Sequence, residues 1–524
     1  MKRQHGPSPD GIPSTEQLLV EGGDARIALD PDHVLNKYGC QPFPDPDLAA
    51  FGSSTASVIS AAGFAAADRL RHRLFPAAGA EPDAATYTRE FDLIRRKLLR
   101  LCGVSDLAGI EVVFAASGTD LHLIAAQLAD GTESMPTLIV MVDAAETGSY
   151  VPAALAGRHF SSRASLGESV IEGASISSSG AIEVVTVPIR HDDGTPRAAA
   201  DVDADFESLV TGAAAMGRRV LLVLVDVSKT GLIAPSAACV SQLQHRLPET
   251  LDVLVDACQF RIAPSTLLAY LEHDFMVALT GSKFVTGPTF AGALLIPSAV
   301  ALRLQARPFP RALGAYSTQG DWPQDWDTAG CLDNVANFGL LLRWEAALEE
   351  LRAFRSVPET EVTRFLQAFA SAVRDRLTCD PVFEPLPVPE LDRRPLIEAT
   401  SWDQLPTIFP FLLFHPETQG GKKPLNREET AQVYRLLQVD LTHHHGSGHA
   451  GITGDSARLR CQLGQPVACG SREGVNVSAL RLCVSSRLIV EAASQGGRNT
   501  ATVIARAMTA LNKTALLVQQ NYFK

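Results

Sequence analysis

From residue 110 onward the chain repeats one pattern: a short continuous apolar run, a polar break, then a segment of helical length. The runs are 110–115, 137–142, 181–188, 220–226, 251–256, 275–280 and 291–296. A strand apolar at every position has both faces covered, so these runs predict a mostly parallel, seven-stranded sheet packed between helices. Segments such as 204–216 and 236–246 supply helices between them. Before this block, apolar residues recur at helical spacing over 53–74, and again over 87–101, where Phe91, Ile94, Leu98 and Leu101 share a face. After it, 337–355 and 359–377 predict long amphipathic helices, 408–414 and 480–484 strands, and 500–519 a closing helix. The Pro-rich stretch 381–395 and residues 415–424 read as connections. The expected organisation is α/β throughout: an N-terminal arm and first helix over 1–59, a large domain over 60–335, and a smaller C-terminal α/β domain over 336–524.

Composition narrows the partners. With 524 residues, 46% hydrophobic and 20% charged, the chain can bury a large core in more than one domain. A net charge of −12 and the lack of any Lys/Arg-rich stripe argue against a nucleic-acid partner. Nine scattered cysteines read as reduced thiols and point to a cytoplasmic protein. The polar N-terminus lacks the apolar core of a secretory signal. The longest apolar runs fall well short of the ~18 residues a membrane span needs, so no membrane partner is expected.

Chemistry concentrates at three strand ends. The first is Ser117-Gly118-Thr119-Asp120, between an apolar run and a helix-like segment. Free amides and the helix dipole there favour a phosphate, and Ser117 and Thr119 add hydroxyls, although the same turn is also an ordinary helix cap. The second is Asp256-Ala257-Cys258-Gln259, whose Asp closes a buried strand. A carboxylate in that crevice needs a cation, such as a protonated pyridine nitrogen, unless it is simply an N-cap. The third is Thr280-Gly281-Ser282-Lys283, followed by Gly287-Pro288. A partly desolvated Lys is a competent Schiff-base nucleophile, whereas an isolated Lys after a strand is usually a surface residue.

In this order, with 27 positions from Asp256 to Lys283, the three motifs resemble those of the fold-type-I pyridoxal-phosphate enzymes, in particular the class V aminotransferase and cysteine-desulfurase-like branch. The resemblance is clear over roughly 110–300 and loose elsewhere. It implies the aspartate-aminotransferase-like fold, a homodimer, and pyridoxal 5'-phosphate as cofactor. It further implies that Lys283 forms the Schiff base and moves protons at the substrate α-carbon. Asp256 would pair with the pyridine nitrogen and Gln259 with the ring's phenolic oxygen. Ser117, Gly118, Thr119, Thr280 and Ser282 would hold the phosphate. Arg481, on a late strand, would bind the carboxylate of an amino-acid substrate with its fork, unless it is a structural ion pair. Asn36, Tyr38 and Gly39 fall where the N-terminal segment approaches substrate.

The chain also departs from that branch. Ser282 stands where desulfurases carry a His, and the ring-stacking His is replaced near Glu146 or Thr147. Cys461 and Cys469 precede Arg481, but when the Gln465-Pro466 pair is aligned with a Cys-Ala-Gln-Pro loop, Leu463 falls at the Cys position. The cluster His443-His444-His445 with His449 has no acidic or Cys partner at ligand spacing and reads as a loop; no metal is expected. Trp322 and Trp326 either line a substrate entrance or pack at the domain junction, and Ser228 or Lys229 either faces the cofactor or forms a plain turn. The expected reaction is transamination. The alternatives are lyase, decarboxylase or carbon–carbon bond-forming chemistry and, in another class, a binding protein that keeps the fold without turnover.

Overall fold

Apolar strands that need cover on both faces dominate the middle of the chain. The computed structural model describes residues 12–76, 82–129, 136–176, 182–305, 309–416, 422–443 and 454–520. In chain order the strands are β1 (Leu48–Phe51), β2 (Glu111–Ala115), β3 (Thr137–Val142), β4 (Ile182–Val187), β5 (Arg219–Val225), β6 (Leu251–Ala257), β7 (Met276–Thr280), β8 (Gly292–Ile296), β9 (Phe383–Pro385), β10 (Ile408–Leu413), β11 (Arg460–Arg472) and β12 (Val475–Cys483). All seven runs predicted for the large sheet form its strands, in the order β2-β8-β7-β6-β5-β3-β4. β3 to β7 pair in parallel, and β8 runs antiparallel to both β2 and β7. Strands β3, β6, β7 and β8 are buried at every position, as sheets covered on both faces require.

The second sheet runs β1-β11-β12-β10-β9. Its outer strand β1 comes from the N-terminal arm and pairs in parallel with β11, Leu48 opposite Arg460. The arm is thus tied into the C-terminal sheet, and β1, β9 and β11 were not foreseen from the sequence. The helix expected over 53–74 begins later, at Ala61, because the Ser60 hydroxyl caps it by accepting from the Gly63 amide at 2.9 Å. Residues 53–57 instead run between the end of β12 and the loop after β7, where Ser53 donates to the Val484 carbonyl and Ser57 to that of Lys283. Trp322 and Trp326 are buried against each other, ring centroids 5.1 Å apart, and serve packing. No described helix is long and apolar enough to cross a membrane. Residues 1–11, part of the 415–424 connection and residues 444–449 of the His-rich loop lie outside the described residues.

Candidate active site

Loops leaving the C-terminal ends of parallel strands build the crevice where such sheets place ligands. Here the loops after β2, β3, β5, β6 and β7 enclose one cavity, closed from the other side by the arm and by β11 and β12. Ten residues picked out in the sequence meet there: Tyr38, Ser117, Gly118, Thr119, Asp256, Gln259, Thr280, Ser282, Lys283 and Arg481. Asn36 does not. Its amide nitrogen donates to Thr289 Oγ1, and its oxygen accepts from the Tyr38 and Cys40 amides, so it shapes the arm's turn at Gly39.

Asp256 ends β6 with its carboxylate turned into the cavity. One oxygen accepts from the Cys258 amide at 3.1 Å, and the other lies 3.3 Å from His122 Nε2. Burial works to raise this carboxylate, yet His122, Lys283 and the Cys258 side chain hold it well below the usual range. It stays anionic at neutral pH, as a partner for a cationic ring nitrogen must. His122 was missed in the sequence. It lies on the helix Gly118–Ala129, whose every later residue is buried, so an imidazole within the apolar run after the turn was the available signal. Its Nδ1 contacts the Gly118 carbonyl at 2.6 Å, and because a carbonyl only accepts, Nδ1 carries a proton. Its Nε2 faces the Asp256 carboxylate, and this contact helps to hold the carboxylate down. The donor atoms of His122, Asp256 and Cys258 lie within 4.8 Å of one another, but burial and Asp256 push the Cys258 thiol far up, which disfavours a thiolate ligand.

At the phosphate turn, the first amides of the helix Gly118–Ala129 have no intrahelical acceptor and face the cavity. A Cβ on Gly118 would meet Cys258 Sγ at 2.9 Å, so only glycine lets the turn come this close. The Ser117 hydroxyl donates to Asp120, and that of Thr280 donates to the Cys258 carbonyl at 2.6 Å. Arg26, another residue without a sequence signal, reaches in from the arm: its guanidinium donates to Ser117 Oγ at 3.2 Å and Thr119 Oγ1 at 3.1 Å. Gln259 donates to the Ser54 carbonyl at 2.9 Å.

Glu146 lines the cavity, but its carboxylate is taken up by neighbouring donors. Arg190 donates to it at 2.6 Å, and the hydroxyls of Ser228 and Thr230 also donate to it. Burial works to raise Glu146, but Arg190 and these hydroxyls hold it below its usual value. Thr147 lines the cavity as well, with a buried hydroxyl that lacks a partner among the described residues. Arg481 is buried on β12 and anchored by the Lys229 carbonyl at 3.2 Å, the Gln465 carbonyl and Thr55 Oγ1 at 2.9 Å. No described carboxylate forms an ion pair with it, and its buried Nε is free. The structural ion pair weighed from the sequence is therefore not what holds it.

The seven-stranded sheet, its single reversed strand and the second sheet match solved structures. The fold is aspartate-aminotransferase-like. The cysteine desulfurase CsdA of Escherichia coli superposes with a TM-score of 0.50 at 16% identity, over 90% of this chain and 95% of that one. A NifS-like protein gives 0.51 at 13% identity, over 89% and 99%. Mouse CSAD gives 0.49 at 15% identity, over 90% and 84%. At these identities the likeness is one of fold. No family model and no curated protein matches the sequence.

Proposed function

We propose that this chain is a pyridoxal-phosphate-dependent enzyme acting at the α-carbon of an amino acid through Lys283, and that its reaction is transamination. The observation that carries this reading is the convergence on one cavity of Lys283, an anionic buried Asp256, the amide turn at Gly118 and an Arg481 without an acidic partner among the described residues. These residues fit the cofactor. The Gly118 turn and the hydroxyls of Thr119 and Ser282 would hold its phosphate, Asp256 its ring nitrogen, and Gln259 its ring oxygen. When bound, it supplies an aldehyde carbon that condenses with amines and a ring that withdraws electrons from the α-carbon.

The chain's own residues do the rest. Asp256, backed by His122, keeps a positive charge at the ring nitrogen. Arg481 orients the substrate carboxylate with its fork. Lys283 Nζ would take the α-proton and return it across the nitrogen, at the carbon the cofactor's aldehyde supplies, the relocation that separates transamination from elimination. Desulfuration is disfavoured, because it needs a reactive cysteine near Arg481. Cys461 and Cys469 are buried in β11, and burial pushes the Cys461 thiol up to about 12. Of the nine cysteines only Cys258 lines the cavity, and its thiol is held protonated.

Borohydride reduction of the purified protein followed by peptide mass spectrometry tests the reading. The expected result is a pyridoxyl adduct on Lys283, together with a visible absorbance band lost in Lys283→Ala and keto-acid release from an amino-acid pool. A colourless protein with no adduct would overturn the cofactor assignment. A coloured one releasing no keto acid would overturn transamination.

A further inference from the structure

The loop after β5 carries a second lysine into the cavity, and the proposed chemistry leaves it without a task. Ser228 and Thr230 on either side are fixed by their hydrogen bonds to Glu146, and the Lys229 amide donates to the Glu146 carbonyl at 2.8 Å. Val227, just before them, adopts φ +62°, a conformation costly for a β-branched residue, so the loop is held in a shape it would not choose. The Lys229 carbonyl anchors Arg481, which places the lysine backbone directly beside the carboxylate-binding fork.

The charges around the cavity do not balance. Of the carboxylates at the site, Asp24 pairs with Arg26, Glu146 with Arg190 and Asp256 with His122, while Asp120 on the phosphate turn accepts from the hydroxyls of Ser117 and Ser165. Lys229, Lys283 and Arg481 line the same cavity, and none has an ion-pair partner among the described residues. Lys283 is used by the cofactor and Arg481 by the α-carboxylate, while the phosphate turn lies at Gly118. Apart from the exposed Lys37, which donates to the Tyr150 hydroxyl at 3.2 Å, one cation, Lys229, is left over.

We infer that Lys229 binds a second acidic group on the substrate, so that the enzyme acts on an amino acid with an anionic side chain, such as a dicarboxylic one. This rests on the proposed function for the role of Arg481 and deepens it by naming the substrate class. Removal from water, reinforced by Arg481 and Lys283, pushes the Lys229 ammonium down to about 7, while Glu146 and Asp256 act weakly the other way. These are the charged groups facing it, from β12, the loop after β7, the loop after β3, and β6. An anion placed against it restores the charge. Binding of a second carboxylate therefore requires the protonated lysine, and it weakens as rising pH removes that proton.

Calorimetric titration of the holoenzyme with unreactive acids tests this. Succinate and glutarate carry two carboxylates, and butyrate carries one. At pH 6.5 the wild-type protein is expected to prefer a dicarboxylate over butyrate by roughly tenfold or more, the worth of one charge-assisted contact. The ratio should fall towards one in Lys229→Gln, persist in Lys229→Arg, and shrink in the wild type between pH 7 and 9. A wild-type ratio near one, or a ratio that survives in Lys229→Gln, would overturn the inference. A protein that takes pyridoxal phosphate on Lys283 yet shows no preference sinks the inference alone. A protein that takes no cofactor but keeps the Lys229-dependent preference sinks the proposed function and upholds the acidic-ligand site.

Discussion

At the scale of single residues, a buried carboxylate depends on the group that balances it. Asp256 has His122 as its basic neighbour, 3.3 Å away. Replacing that imidazole with an apolar side chain leaves a buried charge uncompensated, at a cost of about 3 kcal/mol. His122→Leu should therefore lower stability by about that amount in urea denaturation at neutral pH. The pH dependence has a definite sign. Asp256 is depressed in the folded state, so its contribution is complete above the ordinary aspartate range of about 4 and fades as pH falls below it. The deficit of the variant should shrink in the same window, and a deficit constant down to pH 3 would mean that His122 acts by packing alone. Asp256 and Lys283 were legible in the sequence because each ends a run of apolar residues, where a charged group stands out. His122 and Arg26 were not singled out: the first sits just past the phosphate turn in a segment read only as a helix, and the second in an arm with no periodicity.

At the scale of elements, the large sheet was readable because each strand is apolar throughout and bounded by polar turns. β1 and β11 lack that signature. β1 has four residues in a Pro- and Asp-rich arm, and its partner β11 begins more than 400 positions later. β11 contains Gly464, Pro466 and Gly470, residues that argue against a strand interior. The structure accommodates them with register shifts against β12, between Gly464 and Val467 and between Ala468 and Ser471. Gln465 and Pro466 thereby line the cavity, and the former's carbonyl holds Arg481. Gly464 lies directly across from Arg481, and a Cβ there would stand 3.0 Å from the guanidinium carbon and 2.6 Å from Ser54 Oγ. Gly464→Ala should push the fork out of position. The expected outcome is a KM for the amino-acid substrate raised roughly tenfold, the worth of a charge-assisted contact, with a smaller change in kcat. Steady-state kinetics check it, and an unchanged KM would show that Arg481 does not bind the substrate carboxylate.

At the scale of the whole molecule, the cavity exists because three distant parts of the chain meet, and Arg26 is the tie on the arm's side. Its guanidinium pairs with Asp24, donates to Ser117 and Thr119, and lies 4.8 Å from the Phe290 ring centroid and 5.2 Å from that of Tyr150. Burial works against its charge, but Tyr38, Asp24 and Asp120 hold it firmly cationic. This charge matters because the phosphate turn has acidic company: Asp120 is on it, and burial together with Asp24 pushes that carboxyl up to about 6. With Arg26 present, a phosphate at Gly118 meets helix amides and a cation. Without it, the same phosphate meets two carboxylates screened by amides alone. Arg26→Met keeps much of the apolar stem and removes the charge, so its effect reports electrostatics more than packing. The affinity of the apoprotein for pyridoxal phosphate, followed by absorbance titration at pH 8, should fall by roughly tenfold or more. Relative to wild type the loss should be smaller at pH 5.5, where Asp120 takes up its proton and the repulsion fades. A loss equal at both pH values would assign Arg26 to holding the arm in place, and no loss would remove it from the cofactor site.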